Sequence, residues 1–244
     1  MIVFWILFLL IILISLMLAY LSMRDFEEGP EDFGPDNGLY LIKKPHPLTA
    51  DLMDYLYKVI KKDNLIISLE RLFKGRESAL VIYGPKKALE ALKKALDLLE
   101  LEEYVKAETP TVWHIGTKKI GDYQKMTKSI FSDFPKLEEG ETVWYQLILQ
   151  PEKKPRHFKG QIRVVVVSPD QRRKKLLAEA LQIPKNNLVK IPQPFSTTQM
   201  IEFYKKRSML GRSRMKFTDG DVTCAWSLPA SPRLASPKAR GEPV

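Results

Sequence analysis

The chain of 244 residues is 45% hydrophobic, 28% charged and 10% aromatic, a composition that excludes an intrinsically disordered protein. Its formal net charge of +10 suits anionic partners such as nucleic acid or anionic lipid, although exposed lysines also serve simply to keep a domain soluble. The single cysteine, Cys224, excludes an internal disulfide framework and is typical of a reducing compartment.

The first 23 residues contain no Asp, Glu, Lys, Arg or His. Because a helix rises about 1.5 Å per residue, roughly 20 apolar residues span the ~30 Å hydrocarbon core of a bilayer. The alternative, a cleaved signal peptide, needs a basic segment before the apolar run and a small-residue cleavage site, and the sequence has neither. We therefore expect an uncleaved transmembrane helix. Arg24, Lys43 and Lys44 follow the span and no basic residue precedes it, so the positive-inside rule favours a cytoplasmic body.

An acidic segment rich in Gly and Pro follows at residues 24–38 and is typical of a solvated linker. Hydrophobic periodicity in residues 39–108 then predicts the element order βαββαβ. The predicted elements are a strand at 39–43, a helix at 49–62, strands at 65–72 and 79–83, a helix with Pro85 as its first residue, and a closing strand at 103–107. The buried stripe predicted for the second helix consists of Ala88, Leu89, Leu92, Ala95, Leu96 and Leu99.

The same order recurs in residues 109–195. The predicted elements are a strand at 111–117, a helix capped by Asp122, a strand at 142–150, a basic loop at 151–160, a strand at 161–168, a helix opened by Ser168-Pro169 with Leu176, Leu177, Ala180 and Leu181 inward, and a closing strand at 188–191. The tripeptide Phe-Lys-Gly occurs at 73–75 and again at 158–160, and we interpret it as a mark of an internal repeat.

The predicted fold class is α+β, with an N-terminal transmembrane helix followed by two tandem ferredoxin-like (βαββαβ) repeats. A helix at 198–209 follows the second repeat, and from Leu210 the basic, Pro- and Ser-rich sequence predicts a linker or frayed end. The predicted domains are the transmembrane helix at 1–23, the linker at 24–38, the repeats at 39–108 and 109–195, and the helix with its tail at 196–244.

Chemistry-bearing motifs are missing from the sequence. The three histidines lie far apart without partners at metal-ligand spacing, and no Gly-x-Ser-x-Gly motif occurs. The segment 116–122 has the glycine spacing of a phosphate loop but carries Asp122 where Lys must neutralise phosphate. We therefore predict a protein that is not an enzyme, with no catalytic, metal-binding or cofactor-binding residues and no cofactor.

Basic side chains are the only candidate site residues. They are expected either to contact phosphate or an acidic partner, or to belong to a solvated loop and helix surface. These residues are Lys153, Lys154, Arg156, Lys159, Arg172 and Arg173.

Several stretches carry a family resemblance. They are Ile66-Ile67-Ser68-Leu69-Glu70, Leu80-Val81-Ile82-Tyr83-Gly84-Pro85, Lys136-Leu137-Glu138-Glu139-Gly140-Glu141, Leu149-Gln150-Pro151 and Val222-Thr223-Cys224-Ala225-Trp226-Ser227-Leu228-Pro229. With these stretches the chain resembles the uncharacterised membrane-proximal domain that precedes the ATPase in bacterial type IV secretion and conjugation proteins of the FtsK-HerA superfamily. The sequence ends where that ATPase would begin, so no catalytic residue carries over.

The resemblance implies a non-enzymatic assembly or docking module with a single span in the cell membrane. It also implies protein partners in a secretion or DNA-transfer complex, further copies of the chain among them, and it leaves open whether the chain is a fragment or a separate subunit. The alternative is a membrane-tethered nucleic-acid-binding protein, since ferredoxin-like sheets bind RNA through aromatic residues on one face. Here Tyr83, Trp144 and Tyr145 lie beside apolar residues and are expected in the core.

Overall fold

The computed structural model describes residues 2–25, 36–43, 50–75, 77–105, 112–116, 131, 134–180, 189–191, 195–211 and 215–226. The fold is α+β, and all strand pairs in the described residues are antiparallel. The helices are α1 (Ile2–Asp25), α2 (Ala50–Lys62), α3 (Lys86–Leu96), α4 (Gln171–Ala180), α5 (Thr197–Lys206) and α6 (Asp219–Trp226). The strands are β1 (Asn37–Ile42), β2 (Ile67–Lys74), β3 (Glu77–Pro85), β4 (Leu98–Leu101), β5 (Val112–Gly116), β6 (Thr142–Pro151), β7 (His157–Val167), β8 (Val189–Lys190) and β9 (Met215–Thr218).

One continuous sheet runs through both halves of the chain. The strands lie in the order β4-β1-β3-β2-β6-β7-β5-β8, and β9 pairs with β7. Strand β2 of the first half pairs with β6 of the second half from Ile67 opposite Leu149 to Lys74 opposite Thr142. The halves therefore share backbone hydrogen bonds as well as a core.

The two faces of the sheet are covered differently. Alternation along β6 places Val143, Tyr145, Leu147 and Leu149 on one face, as predicted, and all four are fully buried. Helices α2, α3, α4 and α6 contribute apolar residues to the large cluster on this face, which we call the helical face. A smaller cluster on the opposite face contains Met200 and other residues of α5, and we call this the α5 face.

Three predictions in the first half are wrong. Helix α3 ends at Leu96 because Asp97 adopts the left-handed conformation (φ 48°), so the closing strand begins at Leu98 rather than at residue 103. As a consequence Leu99 belongs to β4 and is 45% exposed instead of completing the stripe of α3. Pro85 is the N-cap of α3 rather than its first residue.

Other corrections concern the second half. The basic loop is shorter than predicted because β6 continues to Pro151 and β7 begins at His157. In α4 the inward residues are Leu177 and Ala178, and Leu176 is 46% exposed. The predicted helix at Asp122 lies outside the described residues, as does Leu181.

The repeated Phe-Lys-Gly tripeptide occupies different structural positions in the two halves. Gly75 has a positive φ of 54° and forms the turn that follows β2. Gly160 lies inside β7, where an added Cβ would come within 2.6 Å of the Phe217 ring. The first glycine is required for a turn and the second for close packing, so the tripeptide does not mark equivalent positions.

The segment after Leu210 is not only a linker. Strand β9 pairs with β7 from His157 opposite Thr218 to Gly160 opposite Met215. The buried residues Phe217, Val222 and Trp226 then join the core of the helical face. Residues 215–226 are therefore part of the folded body, and the predicted tail at residues 227–244 lies outside the described part.

Helix α1 is 24 residues long, and its side chains are described from Phe4 to Ala19. The large apolar side chains from Phe4 to Leu18 are between 39% and 68% exposed. Over the residues that the structure describes, no helix combines the length and the mean hydropathy that a membrane span requires. The transmembrane anchor remains a prediction.

Candidate anionic-partner interface

The turn between β6 and β7 carries three of the predicted basic residues, and helix α2 holds it in place. The Tyr57 hydroxyl lies 2.9 Å from the carbonyl oxygen of Glu152 and 3.1 Å from that of Lys154. The Lys61 ammonium donates a hydrogen bond of 3.0 Å to the carbonyl oxygen of Lys153. Helix α2 belongs to the first half of the chain and the turn to the second. These contacts therefore attach the turn of the second half to a helix of the first half.

Arg156 contributes to holding the turn. It adopts a positive φ of 56°, and its Nε lies 3.4 Å from Asp54 Oδ1. Its Nη1 lies 3.9 Å from the carboxylate of Asp219 at the start of α6. The hydrogen bond from Lys58, followed by the bond from Arg156, lowers the pKa of Asp54 despite partial desolvation. The Arg156 charge is therefore directed at intramolecular carboxylates.

Lys153 and Lys154 instead have exposed side chains. Among the described residues, no carboxylate lies within ion-pair distance of either ammonium group. Lys61 and Lys62 at the end of α2 are also exposed, and Lys61 contacts the turn. We call residues 152–156 together with Lys61 and Lys62 the hairpin end. The exposed lysines give this surface a positive charge, while the carbonyl oxygens of residues 152–154 accept hydrogen bonds from Tyr57 and Lys61.

Lys159 lies in β7 rather than in the predicted loop, directly opposite Lys216 of β9. Like charges directly opposite in a sheet destabilise the pairing. The Lys216 ammonium lies 3.7 Å from the Glu152 carboxylate, which offsets part of this repulsion. The two lysines extend the positive surface of the hairpin end onto the α5 face.

Arg172 and Arg173 lie at the opposite end of β7. An eleven-residue strand spans roughly 33 Å, so these two arginines do not join the other four residues. Arg173 is bidentate to Glu141, with Nε 3.0 Å from Oε1 and Nη2 2.8 Å from Oε2. The hydrogen bonds from Arg173 lower the pKa of Glu141 and outweigh desolvation. Arg172 is exposed, and its backbone N–H donates to Asp170.

A buried polar network on the α5 face was not predicted from the sequence. The directly paired residues Glu70, Gln146 and Arg163 form a row across β2, β6 and β7, and each is fully buried. Gln146 Nε2 donates to Glu70 Oε1 at 3.0 Å, and the Tyr104 hydroxyl donates to Glu70 Oε2 at 2.8 Å. The guanidinium of Arg207 closes the network with its Nε 2.9 Å from Glu70 Oε1.

This network fastens α5 and the residues after it to the sheet. Arg163 donates to the carbonyl oxygens of Phe203 and Ser208, and Gln146 donates to that of Tyr204. Burial alone would raise the pKa of Glu70. The Arg207 charge and the hydrogen bonds to the carboxylate outweigh burial, so the pKa is lowered overall. A signal for the network was present in the sequence: polar residues recur at alternate positions of otherwise apolar strands.

The three aromatic residues that bear on the RNA-binding alternative differ in burial, because Trp144 on the α5 face and Tyr83 are only partly buried. The Trp144 ring lies 5.5 Å from the ring of Tyr104 and 6.3 Å from that of Tyr204, centroid to centroid. Tyr145 is fully buried on the helical face. The prediction of a core position is therefore confirmed for Tyr145 but not for Tyr83 or Trp144.

Arg71 is a buried cation of a different kind, on the helical face. Its guanidinium carbon lies 4.6 Å from the ring centroid of Phe73 and 4.4 Å from that of Phe131. In the described part of the chain, its Nε and Nη1 have no hydrogen-bond partner, and neither has the hydroxyl of Tyr145 directly opposite on β6. Burial lowers the pKa of Arg71 to about 10.

We expect Arg71→Met to raise the free energy of unfolding by about 1–4 kcal/mol, because methionine fills the site without a desolvated charge. Thermal or urea unfolding of the full chain in detergent micelles measures the change. Arg172→Met, at an exposed site, serves as the control and is expected to shift stability by less than about 0.5 kcal/mol. Destabilisation by Arg71→Met would contradict this expectation and would indicate that the contacts of the guanidinium with the Phe73 and Phe131 rings outweigh its desolvation.

No group of three or more His, Cys, Asp or Glu side chains in the described residues is arranged to hold a metal ion. The sequence matches no known protein-family model and no curated protein. The resemblance to the DNA-transfer proteins therefore stays a prediction that rests on the residues quoted for it.

Proposed function

We propose that the chain is a membrane-anchored, non-enzymatic docking module whose hairpin end binds an anionic partner. The observation that carries this proposal is the turn at residues 152–156, which α2 holds through Tyr57 and Lys61 while Lys153 and Lys154 stay exposed. A surface held in one geometry loses less conformational entropy on binding than a mobile loop does.

The anchor in this proposal is α1, as a single span of the cell membrane with the body in the cytoplasm. The charge-free run of 23 residues, the helical conformation of Ile2–Asp25 and its exposed apolar side chains support it. Arg24 on the carboxyl side of the run supports the orientation.

The body in this proposal consists of two ferredoxin-like units fused edge to edge. The strand order β4-β1-β3-β2 in the first half supports this, as does β8-β5-β7-β6 in the second. In each half the fourth strand lies beside the first, the first beside the third, and the third beside the second. Both orders are those of the split βαβ fold.

The wider setting of the proposal is a type IV secretion or DNA-transfer complex with protein partners or further copies of this chain, and the family resemblance supports it.

The second candidate is a membrane-tethered nucleic-acid-binding protein. The exposed lysines of the hairpin end favour it, because Lys contacts to phosphate supply most non-specific affinity. The packing of the partly buried Trp144 ring against Tyr104 and Tyr204 counts against base stacking on the α5 face.

The anchor is tested with Ile12→Arg in the middle of the apolar run. A charge at mid-span has an apparent insertion cost of about 2.5–3.5 kcal/mol, so we expect a large part of the variant to become extractable by carbonate. The unchanged chain and the matched variant Ile12→Ala should both remain in the membrane pellet. Extraction of the unchanged chain would contradict the anchor.

A further inference from the structure

We propose that the anionic partner of the hairpin end is the lipid headgroup surface of the membrane that holds α1. This inference rests on the proposed anchor and goes beyond it, because it assigns the orientation of the body and the chemistry of the bound surface. The ligand class is the anionic phospholipid headgroup.

Strand pairing places Asn37, where the chain enters the folded body, and the hairpin end at the same end of the sheet. The body begins with Asn37 of β1, which lies opposite Pro85 at the end of β3. The end of β3 pairs with the start of β2, where Ile67 lies opposite Leu149 near the end of β6. Following the register across four strands therefore leads from Asn37 to the turn at residues 152–156.

The length of the linker restricts which end of the body reaches the bilayer. Eleven residues separate α1 from β1. Fully extended they span at most roughly 36–40 Å, and a flexible chain of that length has a root-mean-square span of about 18 Å. The opposite end of the sheet lies roughly 33 Å farther along β7. At its root-mean-square span the tether therefore reaches the headgroups with the hairpin end, whereas bringing the opposite end there would require an almost fully extended linker.

The charges at this end match an anionic surface. Lys153 and Lys154 are exposed on the held turn, and Lys61 and Lys62 are exposed at the end of α2, where Lys61 contacts the turn. Each lysine close to an anionic leaflet strengthens the association about fivefold. The sequence of the linker is acidic, so the attraction resides in the body.

Tethering decides between lipid and nucleic acid. A few lysine contacts to phosphate bind free nucleic acid weakly at physiological salt, since tight non-specific binders make roughly 6–10 such contacts. A short tether gives an effective concentration in the millimolar range, which makes the same few contacts sufficient. The tether supplies that concentration for the membrane surface alone.

The test uses the full chain in lipid nanodiscs with Cys224→Ala, and a fluorophore on either Pro155→Cys at the hairpin end or Glu139→Cys at the opposite end. Quenching by a headgroup-labelled lipid reports proximity to the bilayer surface. With about 30% phosphatidylglycerol we expect quenching at residue 155 to exceed that at residue 139 at least threefold. The difference should shrink by half or more in 0.5 M salt, in purely zwitterionic lipid, or with Lys153→Gln and Lys154→Gln together.

The control pair is Lys174→Gln with Lys175→Gln on α4, which removes the same charge far from the hairpin end and should leave quenching unchanged. Equal quenching at both labels, or no dependence on anionic lipid, would overturn the inference. Binding of a DNA or RNA oligonucleotide that requires Lys153 and Lys154, in discs where anionic lipid has no effect, would overturn it in favour of a nucleic-acid surface. Failure of the chain to purify with the discs would refute the anchor itself, which separates the two failures.

Discussion

Arg207→Met is expected to lower the free energy of unfolding by about 3–5 kcal/mol, because it leaves the Glu70 carboxylate buried without its cation. Glu70 is fully buried and the Arg207 side chain is 3% exposed. Arg207 also contacts Glu103 and the carbonyl oxygen of Lys205, so its removal loosens the residues after α5 as well. Chemical unfolding of the full chain in micelles, followed by tryptophan fluorescence, measures the loss.

Two comparisons separate a buried ion pair from a general effect of the substitution. The double variant Glu70→Gln with Arg207→Met should lose less than the sum of the single variants, since both charges are gone. Lys175→Met breaks an exposed pair with Glu179 and should cost less than about 0.5 kcal/mol. Equal losses for Arg207→Met and Lys175→Met would contradict the network.

The Glu70 pair also makes a pH prediction. The pKa of Glu70 is lowered from its ordinary value of 4.5, so its ionised form stabilises the fold fully above that value. This contribution is lost as the pH falls below 4.5 towards the pKa in the folded state. The stability difference between the unchanged chain and Glu70→Gln should therefore narrow in that range and stay constant between pH 6 and pH 8.

Phe217→Ala is expected to destabilise the body by about 3–5 kcal/mol, the usual cost of removing a fully buried phenylalanine. Phe217 is 0% exposed and packs over Gly160, where β9 pairs with β7. If residues 215–226 were only a frayed tail, the substitution would have almost no effect. The same unfolding measurement decides between these outcomes.

Leu176→Ala serves as the matched control, because Leu176 is 46% exposed and its truncation removes little buried area. We expect it to cost less than about 1 kcal/mol. Gly160→Ala should be destabilising in its own right, since a Cβ at this position meets the Phe217 ring at 2.6 Å and the carbonyl oxygen of Ile148 at 3.0 Å.

Periodicity predicted the elements that pack in regular layers. The alternation in β6 and the apolar spacing of Leu89 and Leu92 in α3 correspond to buried faces in the structure. Predictions failed where a local conformation overrides periodicity. Because Asp97 adopts the left-handed conformation, the closing strand of the first half begins earlier in the sequence than predicted. Nothing in the apolar pattern indicates that turn.

The candidate site was predicted in composition but not in arrangement. Sequence shows that residues 153–159 are basic, but only the contacts of Tyr57 reveal that another part of the chain holds this turn. Arg173 appeared equivalent to Lys153 in the sequence, yet it is paired with Glu141. The prediction of a linker was wrong for residues 215–226. The strand in this segment has only four residues, and it is stabilised by pairing with β7, which is distant in the sequence.

The position of α1 in the bilayer is the most direct test of a membrane-anchored body. A spin label at Ile12→Cys, in the Cys224→Ala chain reconstituted in nanodiscs, reports accessibility to oxygen and to a water-soluble nickel chelate. We predict high oxygen accessibility and near-complete protection from nickel at residue 12, with the reverse for a label at Glu139→Cys. Equal nickel accessibility at both positions would contradict the anchor and the docking module built on it.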